Sequence, residues 1–233
     1  MATIVLIPGL LCDETVWKPL LTKLRGAVSV ADLSSQDSLT QMAEDLLRDH
    51  PGELIVAGHS MGARVAMEMA RLAPERITRL ALLDTGIHPL KAGEKAKRDE
   101  IVEFAHANGM KALAERWLPG MVHAPNRENQ TLMQSLTDMV LAKDPDLHQR
   151  QITALVNRVD ASAYLASISC PVMLMVGEQD QWSPIAQHED MLRLLPNARL
   201  EIIADAGHFA PVEQPEKVAR LLAEFLTQTN SSQ

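Results

Sequence analysis

Six short runs of apolar residues recur along the chain, and segments with helical periodicity separate most of them. The runs are rich in valine, isoleucine and leucine, which is typical of strands buried on both faces of a parallel sheet. Strands that alternate with helices at this spacing predict βαβ units with right-handed crossovers. We therefore predict an α/β fold with a mostly parallel sheet of about six strands, at residues 3–7, 27–31, 54–56, 79–83, 172–176 and 199–203.

The alternation is interrupted between residues 85 and 168. No segment in this range has a strand pattern, whereas several have helical periodicity. Predicted breaks separate them at Gly109, Pro119-Gly120, Pro125 and Pro145. We predict an all-helical insertion at residues 85–168 in an α/β core formed by residues 1–84 and 169–233. Its predicted helices cover residues 94–107, 110–118, 127–141 and 147–159.

Capping residues mark several other helix boundaries. Asp13 is the predicted N-cap of a helix over residues 14–25. Ser183 and Pro184 predict the start of another helix, with the serine as N-cap and the proline at the first helical position. In the helix after residue 60, Arg64 and Glu68 lie four residues apart and are predicted on its outer face.

Composition excludes several classes of function. The 233 residues carry a net charge of −8, which argues against a general nucleic-acid surface. No apolar run reaches the length of about 18 residues that a membrane span needs. Strand-like residues begin at Thr3 and leave no room for a signal peptide, so a cytoplasmic location is expected.

Metal and disulfide chemistry have no support in the sequence. The eight histidines show no H-E-x-x-H or similar ligand spacing, so we expect neither a metal site nor a cofactor. Cys12 and Cys170 lie far apart without paired spacing and are predicted to be free thiols.

A sharp turn is predicted around Ser60. The sequence Gly58-His59-Ser60-Met61-Gly62 follows an apolar strand and opens a helical segment, and it matches the nucleophile-elbow pattern G-x-S-x-G. Small residues on both sides allow the strained conformation that holds the serine hydroxyl out at the end of a sheet. A glycine-flanked turn before a helix is the alternative interpretation of this stretch alone.

Two further polar residues follow predicted strands. Asp180 follows the fifth strand and His208 follows the sixth, so both should lie with Ser60 at the carboxyl edge of the sheet. Acyl transfer needs a serine, a base and a carboxylate that orients the base. The chain order Ser, Asp, His together with the elbow is much more specific than the elbow alone.

With these motifs the sequence resembles the α/β-hydrolase superfamily over nearly its whole length. The matching pieces are Ile7-Pro8-Gly9-Leu10, the elbow, Gly177-Glu178-Gln179-Asp180, Ala206-Gly207-His208-Phe209 and Glu213-Gln214-Pro215. The resemblance implies Ser60 as nucleophile, His208 as general base and Asp180 as its orienting acid. It also implies an oxyanion hole from the backbone N–H groups of Leu10 and Met61, and a lid formed by the helical insertion.

The sequence departs from the family pattern at three points. Pro8 stands where many relatives have histidine, and Ala63 stands where a third glycine is common. The chain begins at what would be the family's third strand, so the resemblance implies a fold that lacks the leading hairpin.

Several assignments keep alternatives. Asp84 also follows a strand and is the alternative acid, while His59 is expected to make a structural hydrogen bond. A substrate pocket is predicted from Leu11, Trp117, Trp182 and Phe209, although packing is an equally simple role for the tryptophans. The sequence also offers three arginines to bind a substrate acid, with surface positions as the alternative, namely Arg116, Arg127 and Arg150.

We predict a serine hydrolase that cleaves a small, largely apolar carboxylic ester or thioester. The same residues would serve hydrolysis of a carbon–carbon bond in a diketone or dienoic acid, or of a lactone. A ligand-binding protein with little or no turnover is a third hypothesis. A small-molecule substrate is expected, with no nucleic acid or membrane as partner, and the pattern does not predict whether the protein is a monomer or a homo-oligomer.

Overall fold

The computed structural model describes residues 2–228, and within them six strands form one sheet. Every adjacent pair is parallel, and the strand order is β2-β1-β3-β4-β5-β6. The predicted sheet of about six strands is therefore confirmed. Its strands are β1 (Thr3–Ile7), β2 (Val28–Val30), β3 (Leu54–His59), β4 (Ile77–Leu83), β5 (Val172–Gly177) and β6 (Ala198–Ile203).

Helices connect the strands, and three of the longest lie between β4 and β5, where the structure describes no strand. We call residues 85–168 the helical segment. The α-helices are α1 (Lys18–Leu21), α2 (Leu39–Asp49), α3 (Met61–Leu72), α4 (Glu94–Met121), α5 (Gln130–Leu141), α6 (Pro145–Val156), α7 (Ile185–Leu194), α8 (Ala210–Glu213) and α9 (Pro215–Leu226). No helix described between residues 2 and 228 is long and apolar enough to cross a membrane.

The sheet is covered on both faces, as its continuous apolar strands require. In β1, Ile4 and Leu6 belong to a buried cluster that includes residues of α1 and α9. Val5 and Ile7 point to the opposite face and belong to a second cluster with α2 and α3. Because side chains alternate along a strand, one five-residue run supplies both cores.

The first helix is shorter than predicted. Asp13 accepts a hydrogen bond from the Thr15 N–H as the predicted cap, but it begins a 3₁₀ turn over Glu14–Trp17. Helix α1 then ends at Leu21 instead of continuing to residue 25. The Thr22 hydroxyl donates to the Pro19 carbonyl oxygen, a local bond that competes with continuation of the helix.

The boundaries in the helical segment also differ from the prediction. The break at Gly109 is present as a residue with non-helical dihedral angles (φ 79°, ψ 172°), but the flanking helices join into α4. Pro119 lies inside this helix, so the predicted break at Pro119-Gly120 is wrong. Asn129 and Asp144 accept N-cap hydrogen bonds, which begin α5 and α6 at residues other than those predicted.

Candidate active site

The turn between β3 and α3 holds Ser60 in a strained conformation. Ser60 has φ 54° and ψ −114°, a combination that non-glycine residues rarely adopt. A methyl group on Gly58 would overlap the Gly62 carbonyl, and one on Gly62 would overlap the Ile7 carbonyl. The two glycines therefore allow three backbone segments to approach closely, and the turn presents the Ser60 side chain at the carboxyl edge of the sheet.

Hydrogen bonds to the Ser60 backbone fix the turn. Its N–H donates to the Leu83 carbonyl oxygen at 2.8 Å. The Thr85 hydroxyl donates to the Ser60 carbonyl oxygen at 3.0 Å, and the Thr85 N–H donates to Nε2 of His188 at 3.1 Å. His188 is buried, and this burial lowers its pKa to about 4, so it is a neutral acceptor at neutral pH. The end of β4 and the residues after it therefore hold the backbone of the Ser60 turn in place.

The structure brings Ser60, His208 and Asp180 together in one hydrogen-bonded series. Nε2 of His208 lies 2.8 Å from Oγ of Ser60, and Nδ1 lies 2.8 Å from Oδ2 of Asp180. The carboxylate can only accept, so Nδ1 carries the proton and Nε2 is free to accept the serine proton. This is the arrangement that a general base beside a nucleophile needs.

Asp180 is held in its ionised form. Burial alone would raise the pKa of this carboxyl, but the charge of His208 and several hydrogen bonds together lower it below its usual range. Oδ1 accepts from the N–H groups of Trp182 and Ser183, and Oδ2 accepts from the Ser183 hydroxyl at 3.0 Å. The prediction of Ser183 as N-cap is therefore wrong, because its hydroxyl is engaged by the acid and α7 begins two residues later.

Asp84, the alternative acid, lies in the same region with different contacts. Its Oδ1 accepts from the Gly177 N–H at 2.9 Å, and its Oδ2 is 3.7 Å from Nε2 of His59. Burial and the nearby charge of Asp180 raise its pKa well above the usual range. The carboxylate that contacts the His208 ring is that of Asp180.

Backbone groups around His208 have partners that the sequence reasoning did not assign. The Glu213 carboxylate accepts from the N–H groups of Gly207 and Phe209, on either side of His208, at 2.9 and 3.1 Å. It also accepts from the His123 N–H in the helical segment at 2.8 Å. The His208 N–H donates to the Met121 carbonyl at 2.7 Å. Glu213 was noted only within a family motif, and its position five residues after a turn histidine gave no indication of these bonds.

Two residues beside Ser60 have backbone N–H groups without an acceptor in the described part of the chain. Leu10 follows β1 and Met61 is the first residue of α3, and both line the cavity that contains Ser60. Neither N–H donates to an acceptor within residues 2–228. A donor at the start of a helix favours an anion, so the pair is suited to bind a developing oxyanion.

The cavity at Ser60 measures about 930 Å³ and has walls from both the sheet edge and the helical segment. Of the predicted pocket residues, Trp117, Trp182 and Phe209 line it, and Trp182 is 56% exposed. Leu11 does not line it. The Leu11 side chain is 1% exposed within the core, because a positive φ of 58° turns it away and its N–H donates to Gln151.

Three of the four arginines that line the cavity are not among those named from the sequence. Arg64, Arg98 and Arg158 line the cavity, so the prediction of Arg64 on an outer face is wrong. Glu68 is buried as well and pairs with Arg71. Of the arginines named from the sequence, Arg116 lies at the cavity and pairs with Glu100, whereas the others donate to backbone carbonyls, namely Arg127 to Val122 and Arg150 to Ser34.

In the described part of the chain, neither the cysteines nor any cluster of side chains is suited to thiol or metal chemistry. Burial and the neighbouring charge of Asp13 raise the pKa of Cys12, and burial raises that of Cys170 to about 11. Both thiols are free and protonated at neutral pH. Across residues 2–228, no group of three or more histidine, cysteine, aspartate or glutamate side chains is arranged to hold a metal ion.

The fold and this edge of the sheet are those of a hydrolase, and comparison with known proteins agrees. Residues 4–221 match the model of the alpha/beta hydrolase family. The chain therefore belongs to this family.

Similar proteins include esterases and a hydrolase of unsaturated dicarboxylates. A pimeloyl-(acyl-carrier protein) methyl ester esterase from Photobacterium profundum is 29% identical, with 96% of this chain and 94% of that protein aligned. A 2-hydroxy-6-oxononadienedioate/2-hydroxy-6-oxononatrienedioate hydrolase from a Pseudomonas species is 24% identical over 89% of this chain and 72% of that protein. The structure of a thermophilic esterase from Thermogutta terrifontis, with malate bound, superposes with a TM-score of 0.88 at 28% identity, covering 97% of this chain and 89% of that one.

Proposed function

We propose that the protein is a serine hydrolase that cleaves small, largely apolar carboxylic esters or thioesters through an acyl-enzyme on Ser60. The observation that carries this proposal is the series Ser60, His208 and Asp180, with 2.8 Å at each hydrogen bond. The family match and the esterases among the similar proteins support the same reaction class.

In the proposed mechanism, Oγ of Ser60 attacks the substrate carbonyl carbon while its proton passes to Nε2 of His208. The resulting oxyanion accepts hydrogen bonds from the N–H groups of Leu10 and Met61. When the tetrahedral intermediate collapses, the bond to the leaving alcohol or thiol breaks and that group takes the proton from Nε2. Water then attacks the acyl carbon, gives a proton to His208, and releases the acid as Ser60 regains its proton.

We infer further that the helical segment acts as a cap over the reaction site. Side chains of α4, including Trp117 and Ile101, line the same cavity as Ser60. A cap of this kind would exclude water from the acyl-enzyme and set the length of acyl chain that fits.

Carbon–carbon hydrolysis is the second candidate, and the similar Pseudomonas hydrolase is the observation that favours it. A diketone or dienoic acid would present its carbonyl to the same serine and oxyanion donors, and a lactone would do so as well. Product formation from a diketone in the absence of ester turnover would select this candidate.

Hydrolysis of p-nitrophenyl esters from acetate to decanoate tests the proposal, with the parent and Ser60→Ala proteins side by side. The parent should hydrolyse at least the shorter esters, and the mutant should be slower by about 10³-fold or more. Full activity in the Ser60→Ala protein would contradict the proposal.

A further inference from the structure

Three arginine side chains come together on the wall of the Ser60 cavity. Arg64 lies on α3, Arg98 on α4, and Arg158 follows the end of α6. The Arg158 side chain is 4% exposed and that of Arg98 is 14% exposed, while Arg64 is largely buried. Guanidinium groups are rarely buried without partners of opposite charge, so the charges around this cluster decide what it does.

Glu94 is the carboxylate that pairs with this cluster, and it contacts two of the three arginines. Glu94 binds Arg158 Nη2 at 2.7 Å and Arg98 Nε at 2.8 Å. Arg64 makes one long hydrogen bond, from Nη2 to the His88 carbonyl oxygen at 3.4 Å, and has no carboxylate partner among residues 2–228. Burial and the charges of Arg158 and Arg98 lower the pKa of Arg64 to about 9. Three cations and one anion leave a net positive charge facing the cavity.

The rest of the cavity wall has the same sign, although the whole protein carries −8. Six arginines and lysines line the cavity, namely Arg64, Lys91, Lys97, Arg98, Arg116 and Arg158. Three carboxyl groups line it, namely Asp84, Glu94 and Glu100, and burial favours the neutral form of Asp84. A cationic cavity in an acidic protein attracts an anionic ligand and penalises a neutral one that leaves the charges unpaired.

The cavity wall also contains a buried polar side chain without charge, that of His148. His148 on α6 is 2% exposed, lines the cavity, and its Nδ1 has no hydrogen-bond partner in the described residues. Burial lowers its pKa to about 4, so it offers a neutral ring nitrogen at neutral pH. Buried polar groups in proteins normally have partners, and a ligand in the cavity would supply one.

The N–H groups of Arg158 already donate to Glu94 and to backbone carbonyl oxygens, so Arg64 is the arginine left to bind a ligand. We propose that Arg64 forms a binding subsite for a carboxylate that the substrate carries in addition to its scissile ester, so that the preferred substrates are monoesters of dicarboxylic acids. This assignment rests on the proposed ester hydrolysis at Ser60. Arg64 lies one helical turn after the nucleophile, a rise of about 6 Å. A carboxylate bound there is separated from the scissile carbonyl by a few methylene groups. The planar guanidinium of Arg64 is suited to two parallel hydrogen bonds with it.

Matched substrates test the subsite by kinetics. The monomethyl esters of succinic, adipic and suberic acids are compared with methyl butanoate, hexanoate and octanoate, with acid release followed at constant pH. The parent should favour at least one monoester of a diacid over its neutral counterpart in kcat/KM. Arg64→Gln should remove this preference, with a loss of about 10- to 100-fold on the anionic ester, mainly in KM, and neutral esters changed less than about threefold.

Arg220→Gln is the matched control, because it removes an exposed arginine that pairs with Glu224 on α9. This variant should keep the parent's preference for the monoester of a diacid over its neutral counterpart. Equal losses of kcat/KM on both substrate series in Arg64→Gln, or no loss on either, would overturn the subsite. Ester hydrolysis by the parent would still support the proposed function in that case.

A binding experiment separates the subsite from the chemistry. Adipate, the uncharged hexane-1,6-diol and inorganic phosphate are added separately to the Ser60→Ala protein and to the same protein with Arg64→Gln, and the Tm is measured. Adipate alone should raise the Tm, and Arg64→Gln should abolish the shift. If no ester is hydrolysed but this shift is seen, the subsite stands and the proposed function fails. Stabilisation by phosphate in place of adipate, or by none of the three, would overturn the carboxylate assignment.

Discussion

Nε2 of His59 donates a hydrogen bond to the backbone carbonyl oxygen of His208 at 2.7 Å, so the residue before Ser60 contacts the chain of the proposed base. The His59 ring also stacks on Phe209, with 5.6 Å between ring centroids. Burial and the charge of His208 lower the pKa of His59 to about 3. The ring is therefore neutral at neutral pH, and Nε2 carries its proton because a carbonyl can only accept.

Replacing His59 with phenylalanine should lower kcat by about 10- to 100-fold with little change in KM, because a small displacement of the base is costly in catalysis. Phenylalanine keeps an aromatic ring beside Phe209 but removes the donor to His208. Steady-state kinetics on a p-nitrophenyl ester checks this, together with the pH profile of kcat. His50→Phe, at the end of α2, is the control. An unchanged kcat in His59→Phe would show that the contact does not position the base.

Asp180→Asn should lower kcat by about 10⁴-fold, since an amide does not fix the tautomer of His208 as a carboxylate does. Asp84→Asn should cost less than about 10-fold, because this side chain accepts from the Gly177 N–H and an amide oxygen can do the same. Comparison of the two variants on one ester measures both losses. The reverse ranking would transfer the orienting role to Asp84.

Glu213→Gln should reduce both kcat and Tm. The carboxylate accepts from Gly207, Phe209 and His123 through both of its oxygens, and an amide offers one oxygen. We expect about a 10-fold lower kcat, because the loop that carries His208 loses contacts on one side. Glu216→Gln, at the start of α9 and paired with Lys23, is the exposed control. Equal behaviour of the two variants would contradict a positioning role for Glu213.

Stability should fall as the pH is lowered from about 6.5 towards 4. His148 and His188 have pKa values of about 4 in the folded protein and His59 one of about 3, whereas an unperturbed histidine has a pKa of about 6.5. The unfolded chain therefore binds more protons in this window, so each histidine removes about 1.4 kcal/mol of unfolding free energy per pH unit. Asp84, with its raised pKa, acts in the opposite direction and reduces the slope.

Urea denaturation at pH 7, 6 and 5 measures this slope. His188→Gln should reduce the slope of unfolding free energy against pH by about 1.4 kcal/mol per pH unit, because it removes one of the three buried histidines. His50→Gln, at the end of α2, should leave the slope as in the parent. A free energy of unfolding that stays constant or rises over this range would contradict the buried, neutral histidines.

The strands could be predicted because most of them are short apolar runs, and the βαβ spacing indicates their parallel arrangement. Ser60, Asp180 and His208 each follow a strand, so the sheet brings them to one edge without any knowledge of the loops. The turn chemistry was harder to predict. Ser183 looks like an N-cap in sequence, yet the carboxylate of Asp180 three residues earlier engages its hydroxyl.

Contacts between distant segments could not be predicted from local pattern. Arg64 stands four residues after Ser60, which places it one turn along α3, but its environment depends on how α4 and α6 pack over that turn. Arg158 belongs to the cavity only through the fold of the helical segment. Leu11 was predicted in the pocket, but with a positive φ its side chain lies buried in the core.

In the proposed mechanism Ser60 carries the acyl group, and the mass of the intact protein detects this intermediate. The protein is mixed with p-nitrophenyl butanoate, quenched in acid during turnover, and analysed whole and after proteolysis. We predict a mass increase of one butanoyl group on the peptide that contains Ser60, a larger acylated fraction when hydrolysis is slowed, and none in Ser60→Ala. Turnover with no acylated protein, or a butanoyl group that persists in the Ser60→Ala protein, would contradict the account.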